Sequence, residues 1–126
     1  QSYYSSGKIF LFNIADDSMA RLSGRSLNPG MQAVIVNDPN VQTYLNKPVL
    51  LATDDSEWAI IREISIENPY IILKTWNTDY DEQKLDLTQR KVNIFGYVAM
   101  VFCKFYDENT ESDEFGSDVL LDKEDN

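Results

Sequence analysis

The chain has 126 residues, of which 43% are hydrophobic, and it contains no histidine. This length and composition suffice for one domain with a buried core, and the lack of histidine excludes catalytic triads and zinc sites that need an imidazole. The formal net charge is −10, but residues 107–126 hold nine acidic residues and one lysine, so most of that charge belongs to the tail. The near-neutral remainder has no basic surface of the kind that binds nucleic-acid phosphates.

Short apolar segments recur along the chain between turn signals such as Asn28-Pro29-Gly30 and Glu67-Asn68-Pro69. Because short strands at near-regular spacing indicate a β-rich domain, we expect a mainly β fold with little helix. Seven strands are predicted, at residues 8–14, 32–37, 48–53, 57–66, 70–76, 85–87 and 92–105.

The two ends of the chain differ in composition from this β-rich body, which we place at residues 8–106. Residues 1–7 are polar and are expected to be the remnant of a linker. Residues 107–126 are expected to form a disordered, solubilising acidic tail. Alternatively, the tail binds a partner protein or mimics nucleic acid against a basic DNA-binding domain. In that case Phe115 and the Val-Leu-Leu segment at 119–121 would serve as its apolar anchor.

The single cysteine, Cys103, excludes an internal disulfide. Its position in an apolar strand predicts a buried thiol that stays reduced, as in the cytoplasm. No hydrophobic stretch is long enough to span a bilayer, and the chain does not open with a signal-peptide pattern. We therefore expect a cytoplasmic protein with no membrane association.

Ser18, which lies four residues after the end of the first predicted strand, is the main candidate for chemistry. A serine hydroxyl needs a neighbouring base to become a nucleophile, and without histidine only lysine or carboxylates could serve. On local grounds alone, Ser18 is expected to cap the turn. Asp16 and Asp17 point to opposite faces of an extended segment, so we expect them to be solvated rather than to converge on a substrate or metal. We expect neither a metal ion nor a cofactor.

The order of the segments resembles the C-terminal domains of LexA and phage CI-type repressors, the S24 peptidase fold, and the related UmuD proteins. The resemblance covers roughly residues 8–105, most of the body. It is carried, in order, by Asp17-Ser18-Met19, the Pro29-Gly30 turn, Val34-Ile35-Val36, Pro48-Val49-Leu50-Leu51-Ala52, Ile61-Arg62, Trp76-Asn77-Thr78-Asp79-Tyr80 and Asn93-Ile94-Phe95-Gly96-Tyr97-Val98-Ala99-Met100-Val101. It implies a LexA/signal-peptidase-like β-rich fold in which a serine works with a lysine from a later strand.

This resemblance places Ser18 on the nucleophile, Ile61 on the lysine and Arg62 on the arginine that follows the lysine. Isoleucine has no lone pair, so it cannot take the serine proton. We therefore interpret Ser18 as an inactive nucleophile position. The alternative is a self-cleaving Ser/Lys repressor peptidase in which Ser18 works with a relocated lysine, such as Lys74 on the neighbouring hairpin strand.

The predicted function is that of a non-catalytic oligomerisation and regulatory domain of a phage-like transcriptional repressor. We expect its DNA-binding helix-turn-helix domain to lie upstream and to be absent from this chain, so that DNA is bound only through that domain. A homodimer or higher homo-oligomer would hold two half-sites together. An antirepressor protein is a further candidate partner. The interface is predicted on the long final strand, at Val92, Ile94, Phe95, Tyr97, Val98 and Val101.

Overall fold

Residues 8–103 are described by the structure, a computed structural model. The predicted linker remnant at 1–7, the acidic tail at 107–126 and the last two residues of the final predicted strand lie outside the described residues. The prediction of a mainly β fold is confirmed. The strands are β1 Lys8–Asn13, β2 Met31–Asn37, β3 Pro48–Thr53, β4 Ile60–Glu67, β5 Tyr70–Lys74, β6 Gln83–Asp86 and β7 Val92–Cys103, and one 3-10 turn spans Val41–Tyr44.

Strands β4 and β5 are shorter than predicted at the ends that face each other. The chain before Ile60 remains a turn, in which the Trp58 N–H donates to Ser56 Oγ at 3.1 Å. After Lys74 the chain leaves the sheet, and Thr75 Oγ1 donates to the carbonyl oxygen of Asn77 at 3.0 Å. Local side-chain hydrogen bonds of this kind compete with the sheet ladder and end the strands.

All seven strands form one antiparallel sheet in the order β1-β2-β7-β3-β4-β5-β6. The long strand β7 connects its two halves, pairing with β3 through Val92–Tyr97 and with β2 from Tyr97 to Cys103. On the side away from β2, residues 98–103 therefore have no strand partner within the described part of the chain. We call residues 98–103 the open half of β7.

Two apolar cores lie on opposite faces of this coiled sheet. Strand β3 contributes to both, because Leu50 faces the first core while Val49 and Leu51 face the second. That alternation explains why its sequence is a continuous apolar run. The first core contains Ile14, Met19, Leu27, Ala33, Ile35, Leu50 and Ile61, and the second contains Tyr44, Val49, Leu51, Ile64, Ile71, Leu73 and Leu85.

Gly96 allows β7 to pass between its two partner strands. A Cβ at this position would lie 2.5 Å from the Val36 carbonyl oxygen, closer than side chains approach a backbone. Just beyond it, the register with β2 shifts between Val34 and Ile35, which pair with Met100 and Val98. A register shift of this kind bends a strand. The bend carries β7 from the β3 half of the sheet to the β2 half.

The six β7 residues predicted to form an interface all contact the cores of their own chain. Phe95, Val98 and Val101 pack against the first core, and Val92, Ile94 and Tyr97 pack against the second. The most exposed large apolar residues of β7 are instead Met100 and Phe102, at 59% and 43%. The prediction of a buried thiol is wrong, because Cys103 is exposed. It is the last residue of β7 and pairs with Met31, the first residue of β2.

Candidate functional site

Ser18 is held in a tight turn that follows β1. Its side chain is 1% exposed, and its neighbour Met19 belongs to the first core. The Ser18 N–H and the Ser18 hydroxyl both donate to Asp16 Oδ1, at 3.0 and 2.7 Å. The side chain that caps this turn is therefore that of Asp16, and the serine hydroxyl is left pointing towards β4.

Arg62 of β4 supplies the second contact of the serine hydroxyl. Its Nη1 donates to Ser18 Oγ at 2.7 Å and to the carbonyl oxygen of Ile61 at 2.8 Å. The side chain has room to fold back in this way because β5 ends at Lys74, opposite Glu63. Residues 60–62 of β4 still pair with β3 on one side, but on the β5 side the described chain has the Ser18 turn beside them instead of a strand.

The segment after β5 ties the same turn from the other side. The Asn77 backbone N–H donates to the carbonyl oxygen of Ser18, and Asn77 Nδ2 donates to that of Asp17, both at 3.0 Å. The Tyr80 hydroxyl donates to Asp17 Oδ1 at 2.6 Å, and this bond raises the pKa of Tyr80 above its ordinary value. The two carboxylates thus accept from different partners, Asp16 from Ser18 and Asp17 from Tyr80, and do not converge on one point.

The electrostatics of the site are dominated by a cation that is permanently charged. Desolvation by burial lowers the pKa of Arg62, while the negative charge of Asp16 and the neighbouring Tyr80 act in the opposite direction. A guanidinium nevertheless stays protonated in proteins. Arg62 can donate hydrogen bonds to Ser18, but it cannot accept the serine proton.

Ile61, predicted at the position of the catalytic lysine, is 5% exposed and packs in the first core. A small pocket of about 40 Å³ opens between this side chain and Ser18. It has room for water or one small aliphatic group, far less than the roughly 300–1,000 Å³ of a drug-sized ligand site. Its lining is mostly apolar: Phe12, Ile14, Ala15, Asp16, Ser18, Met19, Leu27, Ala59, Ile60 and Ile61.

The alternative of a relocated lysine gains no support from these contacts. Within residues 8–103, the side-chain partners of Ser18 Oγ are Asp16 and Arg62, and no lysine reaches it. Lys74, the candidate named from the sequence, lies opposite Glu63 in the β4–β5 pairing.

Sequence analysis did not identify Arg62 as a functional residue. The family resemblance placed Arg62 only on the arginine that follows the catalytic lysine, with no role of its own. The available signal was that Arg62 is the sole cation in the predicted strand at 57–66. What brings it to Ser18 is the early end of β5, which the sequence pattern did not predict.

Comparison with known proteins identifies one family. The model of the Peptidase S24-like family matches residues 1–99, a range that includes Ser18, Ile61, Arg62 and most of β7. No curated protein matches the chain. In the part of the chain that the structure describes, no helix is long and apolar enough to cross a membrane.

Proposed function

The chain belongs to the Peptidase S24-like family, and we propose that within this family it is a non-catalytic pairing and regulatory domain of a phage-like transcriptional repressor. The observation that carries this proposal is the hydrogen bond from Arg62 Nη1 to Ser18 Oγ, at 2.7 Å. It puts a permanent cation where a serine hydrolase needs a base.

The consequence for catalysis follows from proton transfer. Attack by a serine requires that its proton pass to a neighbouring base, and a positioned base contributes roughly a hundred- to ten-thousandfold in rate. Here the hydroxyl donates to Asp16 and accepts from Arg62. A carboxylate is a far weaker base than the neutral amine of a Ser/Lys dyad, and a guanidinium cannot accept a proton at all. The two side chains therefore hold the hydroxyl without activating it. We conclude that Ser18 is a structural residue that links the turn after β1 to β4.

The pairing role rests on the open half of β7. Among residues 8–103, its backbone has no strand partner on the side away from β2, and its exposed side chains include Met100 and Phe102. Strand edges of this kind readily pair with another chain unless charges or prolines protect them. All side chains from Val92 to Cys103 are uncharged, so this edge carries no such protection.

The apolar surface continues from this edge across the sheet. Leu11 of β1 lies beside Val34 of β2, and Val34 lies beside Met100. Exposed apolar patches on a small domain mark protein–protein contacts. A second copy is the occupant we propose, because in a two-fold pair each copy presents the same uncharged surface and no charge is taken out of water.

Pairing of two such domains would serve a repressor by placing two DNA-binding units on adjacent half-sites. DNA contact itself is assigned to a helix-turn-helix domain outside this sequence. The near-neutral body supports that division, because it lacks the clustered basic residues of a nucleic-acid surface. An antirepressor protein that competes for the open half of β7 is the further partner that this arrangement would accommodate.

Sedimentation and light scattering of the full chain test the pairing role. We expect a dimer for the unmodified chain and a folded monomer for Phe102→Lys, because the new charge would be desolvated at the interface. The matched control is Ile66→Lys, since Ile66 on β4 is also 43% exposed but lies away from β7. It should remain a dimer. A Phe102→Lys chain that still dimerises would rule out the open half of β7 as the interface.

A further inference from the structure

We propose that position 62, rather than position 61, is where a general base would act on Ser18, and that Arg62 is a positioning residue that holds the serine hydroxyl in an unreactive state. This inference rests on the proposed non-catalytic function and names the residue responsible for it. The sequence resemblance assigns the base to Ile61, so the structure and the alignment make opposite predictions.

The contacts of the two residues distinguish them. Ile61 contributes only carbon to the pocket beside Ser18 and is otherwise packed in the first core. Arg62 is the residue of β4 whose nitrogen touches Ser18 Oγ, at 2.7 Å. A nitrogen that already lies within hydrogen-bond distance of the nucleophile occupies the place required of a base.

A lysine at position 62 could occupy the same place. Its side chain is one bond shorter than that of arginine, but Arg62 is folded back onto the adjacent Ile61 carbonyl rather than extended, so its full length is not needed. An amine, unlike a guanidinium, can lose its proton. The burial that lowers the pKa of Arg62 would also lower the pKa of an amine at this position, while the charge of Asp16 and the neighbouring Tyr80 would act in the opposite direction. The neutral amine would then accept the hydroxyl proton that now goes to Asp16.

The reaction to measure is acylation by p-nitrophenyl acetate, whose acetyl group is small enough for the pocket of about 40 Å³. The bond from Ser18 Oγ to the acetyl carbon forms and the bond from that carbon to the nitrophenolate oxygen breaks. The hydroxyl proton passes to the amine at position 62, and p-nitrophenolate leaves. Water later hydrolyses the acetyl-serine and regenerates the hydroxyl.

Five forms of the chain are compared in mildly alkaline buffer: the unmodified chain, Ser18→Ala, Arg62→Lys, Arg62→Lys with Ser18→Ala, and Ile61→Lys. We expect a burst of p-nitrophenolate and an acetyl group mapped to Ser18 for Arg62→Lys alone. The rate should exceed that of the unmodified chain by roughly a hundredfold, the lower end of the range that a positioned base contributes. A burst from Ile61→Lys, or a folded Arg62→Lys that stays silent, would overturn the assignment of position 62. A burst from the unmodified chain that Ser18→Ala removes would overturn the proposed non-catalytic function as well.

A second measurement tests the contact itself and does not need a new activity. Ser18→Cys is made in a Cys103→Ser background, because Cys103 is exposed and would react. The neighbouring guanidinium lowers the pKa of the new thiol and so raises its thiolate fraction, although a thiolate of lower pKa is also a weaker nucleophile. The net result should be that iodoacetamide alkylates this protein roughly threefold faster than the same protein carrying Arg62→Met. Equal rates would show that Arg62 does not lie on the side chain at position 18.

Discussion

The bond between Ser18 and Arg62 makes a stability prediction that a double-mutant cycle can isolate. Ser18→Ala removes the hydroxyl contacts with Asp16 Oδ1 and with Arg62 Nη1 from a residue that is 1% exposed. A hydrogen bond to a charged group contributes about 1.5–3 kcal/mol to the free energy of unfolding, and the partial exposure of Arg62 lowers the contribution of its bond. We expect Ser18→Ala to lower the free energy of unfolding by about 2 kcal/mol, more than the roughly 1 kcal/mol typical of a lost cap.

The cycle adds Arg62→Met and the combination of both changes, measured by urea denaturation of the full chain. If the two side chains interact, the double variant loses less stability than the sum of the single variants, by about 1 kcal/mol, within the range seen for residues in contact. The slope with urea should stay the same in all four proteins, so that the difference reports stability alone.

The matched control pairs Ser18→Ala with Arg90→Met. Arg90 bonds Asp54 and Asp55 and shares no partner with Ser18, so these two changes should add. A Ser18–Arg62 coupling no larger than that of this control pair would refute the interpretation of Ser18 as a structural link to β4.

Two further predictions concern the frame of the site. Gly96→Ala should destabilise the protein by about 1–3 kcal/mol, because its Cβ would lie 2.5 Å from the Val36 carbonyl oxygen. The control is Gly30→Ala, where nothing lies within 4 Å of the new Cβ. Comparing the thermal melting of the two variants separates the clash at Gly96 from the backbone effect of replacing a glycine. Hydrogen bonding to Arg90 lowers the pKa of Asp54. The ionised Asp54 therefore contributes stability above the ordinary Asp pKa of about 4, and this contribution is lost as the pH falls through the lower pKa of the folded state. Arg90→Met should flatten this acid dependence of the urea midpoint, and an unchanged profile would contradict the role of the pair.

The sheet could be predicted from the sequence because its signals are local. Turn residues such as Asn28-Pro29-Gly30 delimit short apolar runs, and the run at β3 is apolar on both faces because both cores meet there. Which face of β7 is exposed could not be predicted in the same way. All of β7 is uncharged, so only the positions of β2 and β3 decide that Val98 and Val101 face a core while Met100 and Phe102 do not.

The candidate site could be predicted only in part, for a related reason. Ser18 stands out because it follows a strand and lies in an Asp-Ser-Met segment. The role of Arg62 depends on where two other elements end, since Ser18 lies in the turn after β1 and β5 stops at Lys74, opposite Glu63. The alternation of apolar and polar residues along β4 cannot predict this contact. It describes side chains that stand perpendicular to the sheet, whereas the Arg62 side chain folds back along the edge of the sheet.

Loss of a base at position 61 and gain of a cation at position 62 are separate obstacles to catalysis, and this explains why we expect Ile61→Lys to remain silent. Placed in the first core, a lysine would be largely neutral and so chemically able to accept a proton. The Ser18 hydroxyl would keep its contact with Asp16, as it would in Arg62→Lys, but the Arg62 guanidinium would also still lie on Oγ and must be displaced before another nitrogen can reach that atom. Restoring a lysine at position 61, as the family resemblance suggests, therefore supplies a base but leaves the guanidinium on the nucleophile, whereas Arg62→Lys supplies the base and removes the guanidinium in one change.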